Sequence, residues 1–422
     1  MTRGAPLSAP AWSERDAERY LLSLELFGMR FGLDRMRRLM TALGSPQERF
    51  GSVHVVGTNG KSSTTRMIAA ILHRHGLRAG AYLSPHLVSF TERIRVEDRD
   101  VDGDRFAAAV LRAARAAAKV DRTLDEGDRV TQFEALTAAA YWLLTDEGVE
   151  AAVIEAGLGG RYDATNVIPS RVQVLTNVGL EHTRWLGPTI VDIAAEKLAV
   201  VRDGSTLVVG PGLHPDAMEL AHAVARDRRA RLVVAPEDPG VETRALGGFQ
   251  RRNFAVARAA AEAYLGEVGE AAVHAAAAST LVPGRFQVVA GEPVTVFDGA
   301  HNPGGMAALA EALRGFLDGR RLVAVVSVLD DKDAAGMLRE LLPLCSEVVF
   351  CANANRRALS PGTLESLARQ LGGPPSRVIA DPRRALEAAR DAAGPDGVAL
   401  ATGSIYLIAD LLRPPGARGA TL

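Results

Sequence analysis

Short apolar runs alternate with helical patterns along the first two thirds of the chain. Residues 52–56 form a β-branched run that stops at Gly57, and a helical pattern over residues 62–75 follows directly. This order predicts a strand, a glycine turn and a helix. The same signals predict further strands at residues 80–83, 151–154, 172–175, 206–209 and 231–234, and helices at residues 132–144 and 190–201. Alternation of this kind predicts a parallel sheet covered by helices.

The alternating pattern restarts after an alanine-rich helical region at residues 253–281. It predicts strands at residues 295–297, 321–328, 347–350, 378–379 and 398–401, and helices at residues 334–342 and 361–371. We place a domain boundary between Pro283 and Gly284, which gives a first domain of residues 1–283 and a smaller second domain of residues 284–422.

A long stretch with little helical pattern, residues 84–103, follows the second predicted strand. Loops of this length in compact domains are usually functional or mobile. We therefore expect this segment to belong to a binding site or to move.

Composition narrows the class of protein. Apolar residues make up 47% of the chain and charged residues 23%, which is ordinary for a soluble globular protein and excludes a disordered or membrane-embedded chain. The net charge of −1 gives no general attraction to nucleic acids or anionic membranes. The 2 cysteines exclude a disulfide framework and a thiolate metal cluster. With no secretory signal in the first dozen residues and no apolar run of about 18 residues, we expect a cytoplasmic protein.

Lysine is rare in this chain. Among 49 basic residues, the lysines are Lys61, Lys119, Lys197 and Lys332. Because arginine supplies generic positive charge elsewhere, each remaining lysine is a candidate for a role that needs a primary amine.

A glycine-rich turn, GTNGKSS, occupies residues 57–63 between the first predicted strand and helix. Backbone N–H groups of such a turn cradle phosphates, a lysine reaches the terminal phosphates, and a hydroxyl meets Mg²⁺. Lys61 and Ser62 fit these roles, although the strict motif needs glycine where Val55 stands. A glycine turn without a ligand is the alternative, but a lysine buried there is costly without an anion. The predicted fold class is therefore α/β: a P-loop-type parallel-sheet ATPase domain followed by a smaller Rossmann-like α/β domain.

Several polar side chains follow strand ends in the first domain. Ser84, Glu155 and His182 each come at or after the end of a predicted strand, and Lys197 lies on a following helix. Ligands of open α/β sheets bind at the carboxyl ends of strands, where a carboxylate is a natural Mg²⁺ ligand. Taken singly, such a glutamate is more often a solvated or capping residue and such a histidine more often structural. These residues are interpreted as a binding site only because all of them are expected at the same edge of the sheet.

A fourth group lies at the proposed boundary. It comprises PGRFQ at residues 283–287 and FDGAHNPGG at residues 297–305. Asp298 ends the first strand of the second domain, and His301 precedes a helix marked by Pro303. This corner could face a nucleotide, or equally be an aspartate helix cap with a structural histidine.

Taken together, these segments resemble the folylpolyglutamate synthase/dihydrofolate synthase family of the Mur ligase superfamily. The resemblance is carried, in family order, by YLLSLELFGMRFGLDRM, GTNGKSS, YLSPHLVSFTERIRV, TQFEALTAAA, VIEAGLGGRYDATNV, GLEHTRWLG, AAEKLAVV, PGRFQ, FDGAHNP, LDDKD and TGSIYL. The chain departs from the family at GLEH, where GLDH is usual, and at EKLAV, where EKAGI is usual.

The resemblance implies an enzyme that uses ATP to join L-glutamate to the carboxylate of folate or dihydropteroate through an acyl phosphate. It implies catalytic roles for Lys61, His182, Lys197 and His301. It implies ATP contacts from Thr58, Asn59, Gly60, Lys61, Ser62, Ser63, Asn253, Arg285 and Asp298. It implies substrate contacts from Phe31, Gly32, Thr131, Gln132, Phe133, Glu134, Tyr162, Asp163, Ala164 and Ser404. It implies a pair of Mg²⁺ ions held by Ser84, Glu155, His182 and Lys197, the lysine being carbamylated by CO2.

The expected partners are small-molecule substrates, with no nucleic acid and no membrane, and the protein is expected to be a monomer. Two alternatives stay open: a Mur-type ligase for another acid and amino acid, and a non-catalytic ATP-sensing protein. The folate-type SPHL and TQFE segments argue against the first, and Lys197 together with the second α/β domain argues against the second.

Overall fold

Two sheets organise the structure, a computed structural model that describes residues 12–25 and 32–414. The first sheet contains β1 (Gly51–Val56), β2 (Ala79–Tyr82), β3 (Ile94–Val96), β4 (Arg99–Asp100), β5 (Ala151–Glu155), β6 (Val172–Leu175), β7 (Thr206–Val209) and β8 (Arg231–Val234). Its helices are α1 (Glu14–Ser23), α2 (Asp34–Leu43), α3 (Lys61–Arg74), α4 (Gly103–Asp121), α5 (Gln132–Asp146), α6 (Thr183–Leu186), α7 (Ile190–Leu198), α8 (Pro215–Asp227), α9 (Gly248–Leu265) and α10 (Glu270–Ser279).

The second sheet contains β9 (Gln287–Val289), β10 (Val294–Phe297), β11 (Leu322–Val326), β12 (Glu347–Phe350), β13 (Ser376–Val378) and β14 (Val398–Thr402). Its helices are α11 (Pro303–Leu317), α12 (Ala334–Leu341), α13 (Pro361–Gln370), α14 (Pro382–Ala393) and α15 (Ile405–Leu412). Short 3-10 helices lie at Pro46–Glu48, Phe90–Arg93, Ala164–Val167 and Leu342–Leu344.

The first sheet has the strand order β4-β3-β2-β5-β1-β6-β7-β8, and the strands from β2 to β8 in this order run parallel. Strands β1 and β5 are almost wholly buried, and most of their residues are apolar, as expected for strands covered on both faces. Their carboxyl ends, together with those of β2 and β6, meet at one edge. The phosphate loop, Glu155 and the segment after β2 therefore lie at the same edge.

The first sheet is parallel, as the sequence predicts, except at one edge. Strand β3 pairs antiparallel with β2, and β4 pairs antiparallel with β3, inside the segment that the sequence predicts as an irregular loop. The two strands are joined by Glu97 and Asp98, which have φ values of 50° and 63°. Positive φ at both central residues is the geometry of a tight hairpin turn, which Asn-Gly or Asp-Gly usually signals. The Glu-Asp pair carries no such signal, so the hairpin escapes sequence reasoning.

The second sheet has the order β13-β12-β11-β14-β10-β9, with β9 antiparallel at its edge and the other strands parallel. Strand β9 was also missed by the sequence analysis. Apolar side chains also join the two domains. Leu87, in the segment after β2, packs into a cluster of second-domain residues that includes Phe297, Leu407 and Ile408, and Phe249 of α9 packs against Phe286 in the second-domain core. None of the helices in residues 12–25 and 32–414 combines the length and the apolar character that a membrane span requires.

Candidate active site

A cavity of about 980 Å³ lies between the two domains and is lined by both. Every predicted site residue in the described part of the chain lines this cavity. Phe31 lies outside the described residues. The structure therefore brings together residues that the sequence spreads from Gly32 to Ser404.

The phosphate loop leaves the start of α3 free to bind an anion. Gly60 precedes the helix with φ 80°, and no side chain caps the first N–H groups. A Cβ at Gly60 would lie 2.4 Å from Oδ1 of Asn253, so the loop and α9 approach too closely for another residue. Lys61 folds back over the loop, where its Nζ donates to the carbonyl oxygens of Gly57 and Thr58, each at 3.1 Å. Free N–H groups and an ammonium at one helix end form an anion site.

Hydrogen bonds from the segment after β6 hold this loop in shape. The N–H of Asn59 donates to Oδ1 of Asn177 at 2.8 Å, and the N–H of Gly179 donates to Oγ1 of Thr58 at 3.0 Å. The hydroxyl of Thr176 donates to the carbonyl of Asn59 at 2.6 Å. The loop is thus preorganised before any ligand binds.

Glu155 ends β5 beneath the loop and offers a carboxylate for a metal ion. Its side chain accepts hydrogen bonds from Oγ of Ser62 at 2.8 Å and from the N–H of Ser84 at 3.0 Å. Burial raises the pKa of Glu155, although the ammonium of Lys61 and these hydrogen bonds act in the opposite direction. A buried carboxylate beside hydroxyl groups fits Mg²⁺, which prefers oxygen ligands and retains several waters. Among residues 12–25 and 32–414, no three His, Cys, Asp or Glu side chains form a metal cluster by themselves.

Lys197 lies on α7 with its amine directed at the phosphate loop. The side chain is buried, and Nζ donates to the carbonyl of Gly57 at 2.9 Å, the same oxygen that accepts from Lys61. Burial, and then the charge of Lys61, lower the pKa of Lys197 to about 7. At neutral pH a large fraction of this amine is therefore uncharged, as nucleophilic chemistry at nitrogen requires.

Glu181 joins the two domains through charged side chains. Its Oε1 accepts from Nζ of Lys332 at 3.0 Å and lies 3.3 Å from Nε2 of His301, both in the second domain. Nε2 of His182 lies 3.9 Å from the same oxygen. Burial alone would raise the pKa of Glu181, but His301 and Lys332 outweigh it and hold the pKa well below its usual range. Burial lowers the pKa of His182 to about 4, so this ring is neutral at pH 7.

The Asp298 corner presents His301 to the cavity. The buried carboxylate of Asp298 accepts from the N–H groups of Phe286 at 2.8 Å and Ala300 at 2.7 Å, and burial raises its pKa. Nδ1 of His301 donates to the carbonyl of Gly299 at 2.8 Å, which leaves Nε2 facing the cavity. Asp298 thus shapes the corner, and His301 is the group it positions.

Two asparagine side chains form a second link between the domains. Nδ2 of Asn59 donates to Oδ1 of Asn302 at 3.1 Å, and Nδ2 of Asn302 donates to Oδ1 of Asn59 at 2.9 Å. Oδ1 of Asn302 also accepts from the N–H of Gly305 at 2.7 Å and so caps α11. The phosphate loop and the start of α11 are therefore held side by side.

The predicted nucleotide contacts at the boundary line the cavity in different ways. Nδ2 of Asn253 donates to Oε1 of Gln250 at 3.0 Å. The guanidinium of Arg285 is half-buried and makes no hydrogen bond or ion pair with any described residue, so it stays available to an anion.

Many of the residues predicted to contact the acid substrate make hydrogen bonds that stabilise the fold. Thr131 and Glu134 form a capping box at the start of α5, and Glu134 also pairs with Nε of Arg35 at 3.1 Å. The amide of Gln132 donates to the carbonyl of Leu21 at 3.0 Å. Phe133 lies in the cavity wall, and its apolar ring is not held by hydrogen bonds of this kind.

The rest of that wall is mixed. Tyr162 is 47% exposed at the cavity rim, whereas Asp163 and Ala164 are buried. Asp163 accepts from the N–H groups of Leu158 and Thr165 and so fixes the turn that carries Tyr162. Ser404 is buried and caps α15 by accepting from the N–H of Tyr406 at 3.2 Å.

Glu181, Lys332 and Arg93 are among the charged residues of the site that sequence reasoning missed. Glu181 and Lys332 lie in the GLEH and LDDKD segments but received no role, although the rarity of lysine was a signal for Lys332. Arg93, in the segment after β2, is 5% exposed, donates from Nε to His86 at 2.9 Å, and lines the cavity.

Comparisons with known proteins agree with this architecture. Residues 284–405 match the family described as Mur ligase, glutamate ligase domain. The chain is 35% identical over 383 residues to a dihydrofolate synthase/folylpolyglutamate synthase of Mycobacterium tuberculosis, covering 81% of this chain and 78% of that protein. It is 34% identical to a probable bifunctional folylpolyglutamate synthase/dihydropteroate synthase of Haloferax volcanii, covering 94% of this chain but spanning only half of that protein's length.

Solved structures of similar fold cover most of this chain. Folylpolyglutamate synthase of M. tuberculosis, complexed with ADP and AMPPCP, has a TM-score of 0.87 and 31% identity, covering 94% of this chain and 98% of that chain. A bifunctional folylpolyglutamate synthase/dihydrofolate synthase of Yersinia pestis, complexed with AMPPNP and a Mn ion, has a TM-score of 0.84 and 28% identity, covering 96% and 99%.

Proposed function

Because this chain belongs to the folylpolyglutamate synthase/dihydrofolate synthase family of the Mur ligase superfamily, we propose that it ligates L-glutamate to a folate or dihydropteroate. A carboxylate oxygen of the acid takes the γ-phosphoryl group of ATP, giving an acyl phosphate and ADP. The amine of glutamate then attacks the acyl carbon, loses a proton, and the C–O bond breaks as phosphate leaves. The product is an amide.

The observation that carries this proposal is the shared cavity. It joins the phosphate loop of the first domain to the Asp298–His301 corner of the second, with acid and base groups but no Ser-His-Asp arrangement among the described residues. A reaction between ATP, an acid and an amine needs one cavity that binds all three substrates. Catalysis then comes mainly from positioning and from charge stabilisation at the reacting oxygens.

ATP is proposed to lie across the domain boundary. Its phosphates would bind the N–H groups at residues 58–63 and the ammonium of Lys61, and Arg285 would approach from the second domain. The apolar side chains of Phe249 and Val256 line the same cavity beside Asn253 and suit an adenine ring. His301 lines the same cavity, and its Nε2 is proposed to approach the transferring γ-phosphoryl group.

The acid substrate is proposed to lie against Gly32, Phe133 and Tyr162, beneath the segment that follows β2. Ser404 in the second domain would contact glutamate. The paired side chains of Lys332 and Glu181 line the same cavity.

Mg²⁺ is proposed to bind at Glu155, Ser62 or Ser84, and His182, where it would neutralise charge on the transferring phosphoryl group. Lys197 is proposed to react with CO2 and to supply a carbamate for a second ion. Two features of this chain support that role: the low pKa of the amine and its position at the carbonyl of Gly57. Arginine could not form the carbamate.

The test is release of phosphate from ATP in the presence of Mg²⁺. We expect release that requires both L-glutamate and a pteroate or folate, and Lys61→Ala is the control that should remove it. Turnover only with another acid would assign a different Mur-type ligation. ATP binding without turnover on any acid would leave an ATP sensor.

A further inference from the structure

A small chamber of about 40 Å³ adjoins the main cavity and shares part of its wall, at Ser62, Pro85, Arg285 and Ile405. It lies between the start of α3, the segment after β2, and the boundary between the two domains. Arg66, one helical turn beyond Ser62 on α3, closes its other side. The chamber therefore borders the proposed reaction site, and Ser62 of the phosphate loop and Arg285 belong to both walls.

The chamber carries unpaired positive charge. Arg66 and Arg285 line it, and neither guanidinium makes a hydrogen bond or an ion pair with any residue in ranges 12–25 and 32–414. The carboxylate of Glu92 also lines it, but its two oxygens already accept from three backbone N–H groups, those of residues 87, 88 and 89, at 2.9, 2.7 and 2.8 Å. The charges of Asp100, Glu92 and Glu155 favour the protonated form of Arg66, but none of these carboxylates forms a hydrogen bond or an ion pair with it.

An unpaired, half-buried guanidinium is an unfavourable arrangement. Burial, and then the neighbouring charge of Arg95, lower the pKa of Arg66 to about 10. The guanidinium of Arg66 is still protonated at neutral pH, so its partly desolvated charge destabilises the folded protein. An oxyanion in the chamber would remove it, and a guanidinium binds carboxylate or phosphate oxygens through paired N–H groups.

The size of the chamber limits what can enter. A cavity needs roughly 10 to 15 Å³ to admit one water molecule, so about 40 Å³ admits about three. That is the space of the three heavy atoms of a carboxylate. A pterin or adenine ring is too large.

We propose that this chamber binds one carboxylate of the incoming L-glutamate, with Arg66 as its ion-pair partner. The inference rests on the proposed ligation, in which glutamate must bring its amine to the acyl phosphate while its two carboxylates bind elsewhere. Ile405, at the start of α15, borders both the chamber and the main cavity, so glutamate would lie between Ser404 and Arg66. A phosphate of the nucleotide shares the same chemistry and is the other source of an oxyanion here.

The experiment compares Arg66→Met with the wild type in steady-state phosphate release. We expect KM for L-glutamate to rise at least tenfold, while KM for ATP and for the folate stays within twofold. Arg66→Lys, which keeps the charge but loses the paired N–H groups, should be intermediate. Arg74→Met is the matched control, because Arg74 lies on the same helix, outside both cavities, and should behave as wild type.

Analogues identify the carboxylate. Inhibition constants against glutamate are measured for L-glutamine and L-isoglutamine, each of which lacks one carboxylate. For the analogue that lacks the carboxylate bound by Arg66, the inhibition constant should be the same in wild type and Arg66→Met. Equal weakening of glutamate and both analogues would indicate a structural role and overturn the proposal, with thermal unfolding checking the fold of each variant.

The outcomes also separate the two hypotheses. A rise in KM for ATP instead of glutamate would assign the chamber to a phosphate and overturn the carboxylate assignment. An active wild type with unchanged glutamate KM in Arg66→Met would overturn this inference alone. A wild type without glutamate-dependent phosphate release would overturn the proposed function and this inference together.

Discussion

Replacing Lys332 by methionine is expected to slow the enzyme by breaking the charge contact between its domains. Nζ of Lys332 lies 3.0 Å from Oε1 of Glu181, and both side chains are 10% exposed. At an effective dielectric constant of about 20, the gross attraction at this distance is about 5 to 6 kcal/mol. Desolvation of the two charges cancels much of it, so the net value of the pair is smaller.

The effect of the substitution is larger than that net value, because it leaves the carboxylate of Glu181 without its ammonium partner. Removing one member of a buried pair costs about 3 to 5 kcal/mol. His301 remains 3.3 Å from the same oxygen and compensates in part. We therefore expect the Lys332→Met substitution to reduce transition-state stabilisation by about 2 to 3 kcal/mol. This corresponds to a decrease of about 30- to 150-fold in kcat/KM for ATP.

A double-mutant cycle with Glu181→Gln tests the reasoning. If the pair acts as a unit, Lys332→Met should cost much less in the Glu181→Gln background, with a coupling energy of about 1 to 2 kcal/mol. Lys119→Met, at the exposed end of α4, is the matched control and should match wild type. Single losses that add within about 0.5 kcal/mol, or a Lys332→Met variant within twofold of wild type, would refute the account.

Further predictions concern the phosphate loop and its surroundings. Lys61→Ala should reduce kcat at least about a thousandfold with an unchanged thermal unfolding curve, because it removes charge stabilisation and no core packing; near wild-type turnover would exclude the phosphate role. Lys197→Arg should be inactive, whereas Lys197→Ala should regain partial activity with formate; full activity of the arginine variant would return Lys197 to a structural role. Gly60→Ala should weaken ATP binding at least tenfold in calorimetry, since its Cβ would lie 2.4 Å from Asn253 at φ 80°, and unchanged affinity would contradict the packing argument. Because the pKa of Glu181 is held below its ordinary 4.5, its ionisation stabilises the fold above that pH and the stabilisation fades as pH falls; the urea stability of Glu181→Gln should therefore fall less steeply below about pH 5 than that of wild type, and parallel curves would disprove it.

Local signals accounted for most of the architecture. The strands at β1, β5 and β6 were confirmed because short, mostly apolar runs between helical segments have few other interpretations. Their common edge followed from the parallel order and brought Glu155 and the phosphate loop together. The hairpin of β3 and β4 was not predicted, because its turn is made by Glu97 and Asp98 and its strands are very short.

The site was predictable where a motif is local and unpredictable where two distant residues meet. Lys61 and Glu155 could be proposed from the elements that precede them. The contact between Glu181 and Lys332 joins positions 151 residues apart in different domains, and nothing in either neighbourhood signals the other. Glu134 is a second example. The sequence predicts that it contacts the substrate, but its carboxylate binds Thr131 and Arg35 and so stabilises the fold.

Leu87 has a consequence for how this enzyme can be engineered. The segment that bears it starts from the sheet of the first domain, yet its leucine is 8% exposed among side chains of the second. A Cβ at Gly284 would lie 3.3 Å from Cδ1 of Leu87, so the contact reaches the first residue of the matched ligase domain. A chimera that exchanges domains with a relative at residue 283 would part this leucine from the pocket shaped for it. The segment after β2 and the second domain therefore form one module for recombination, and a graft should carry both.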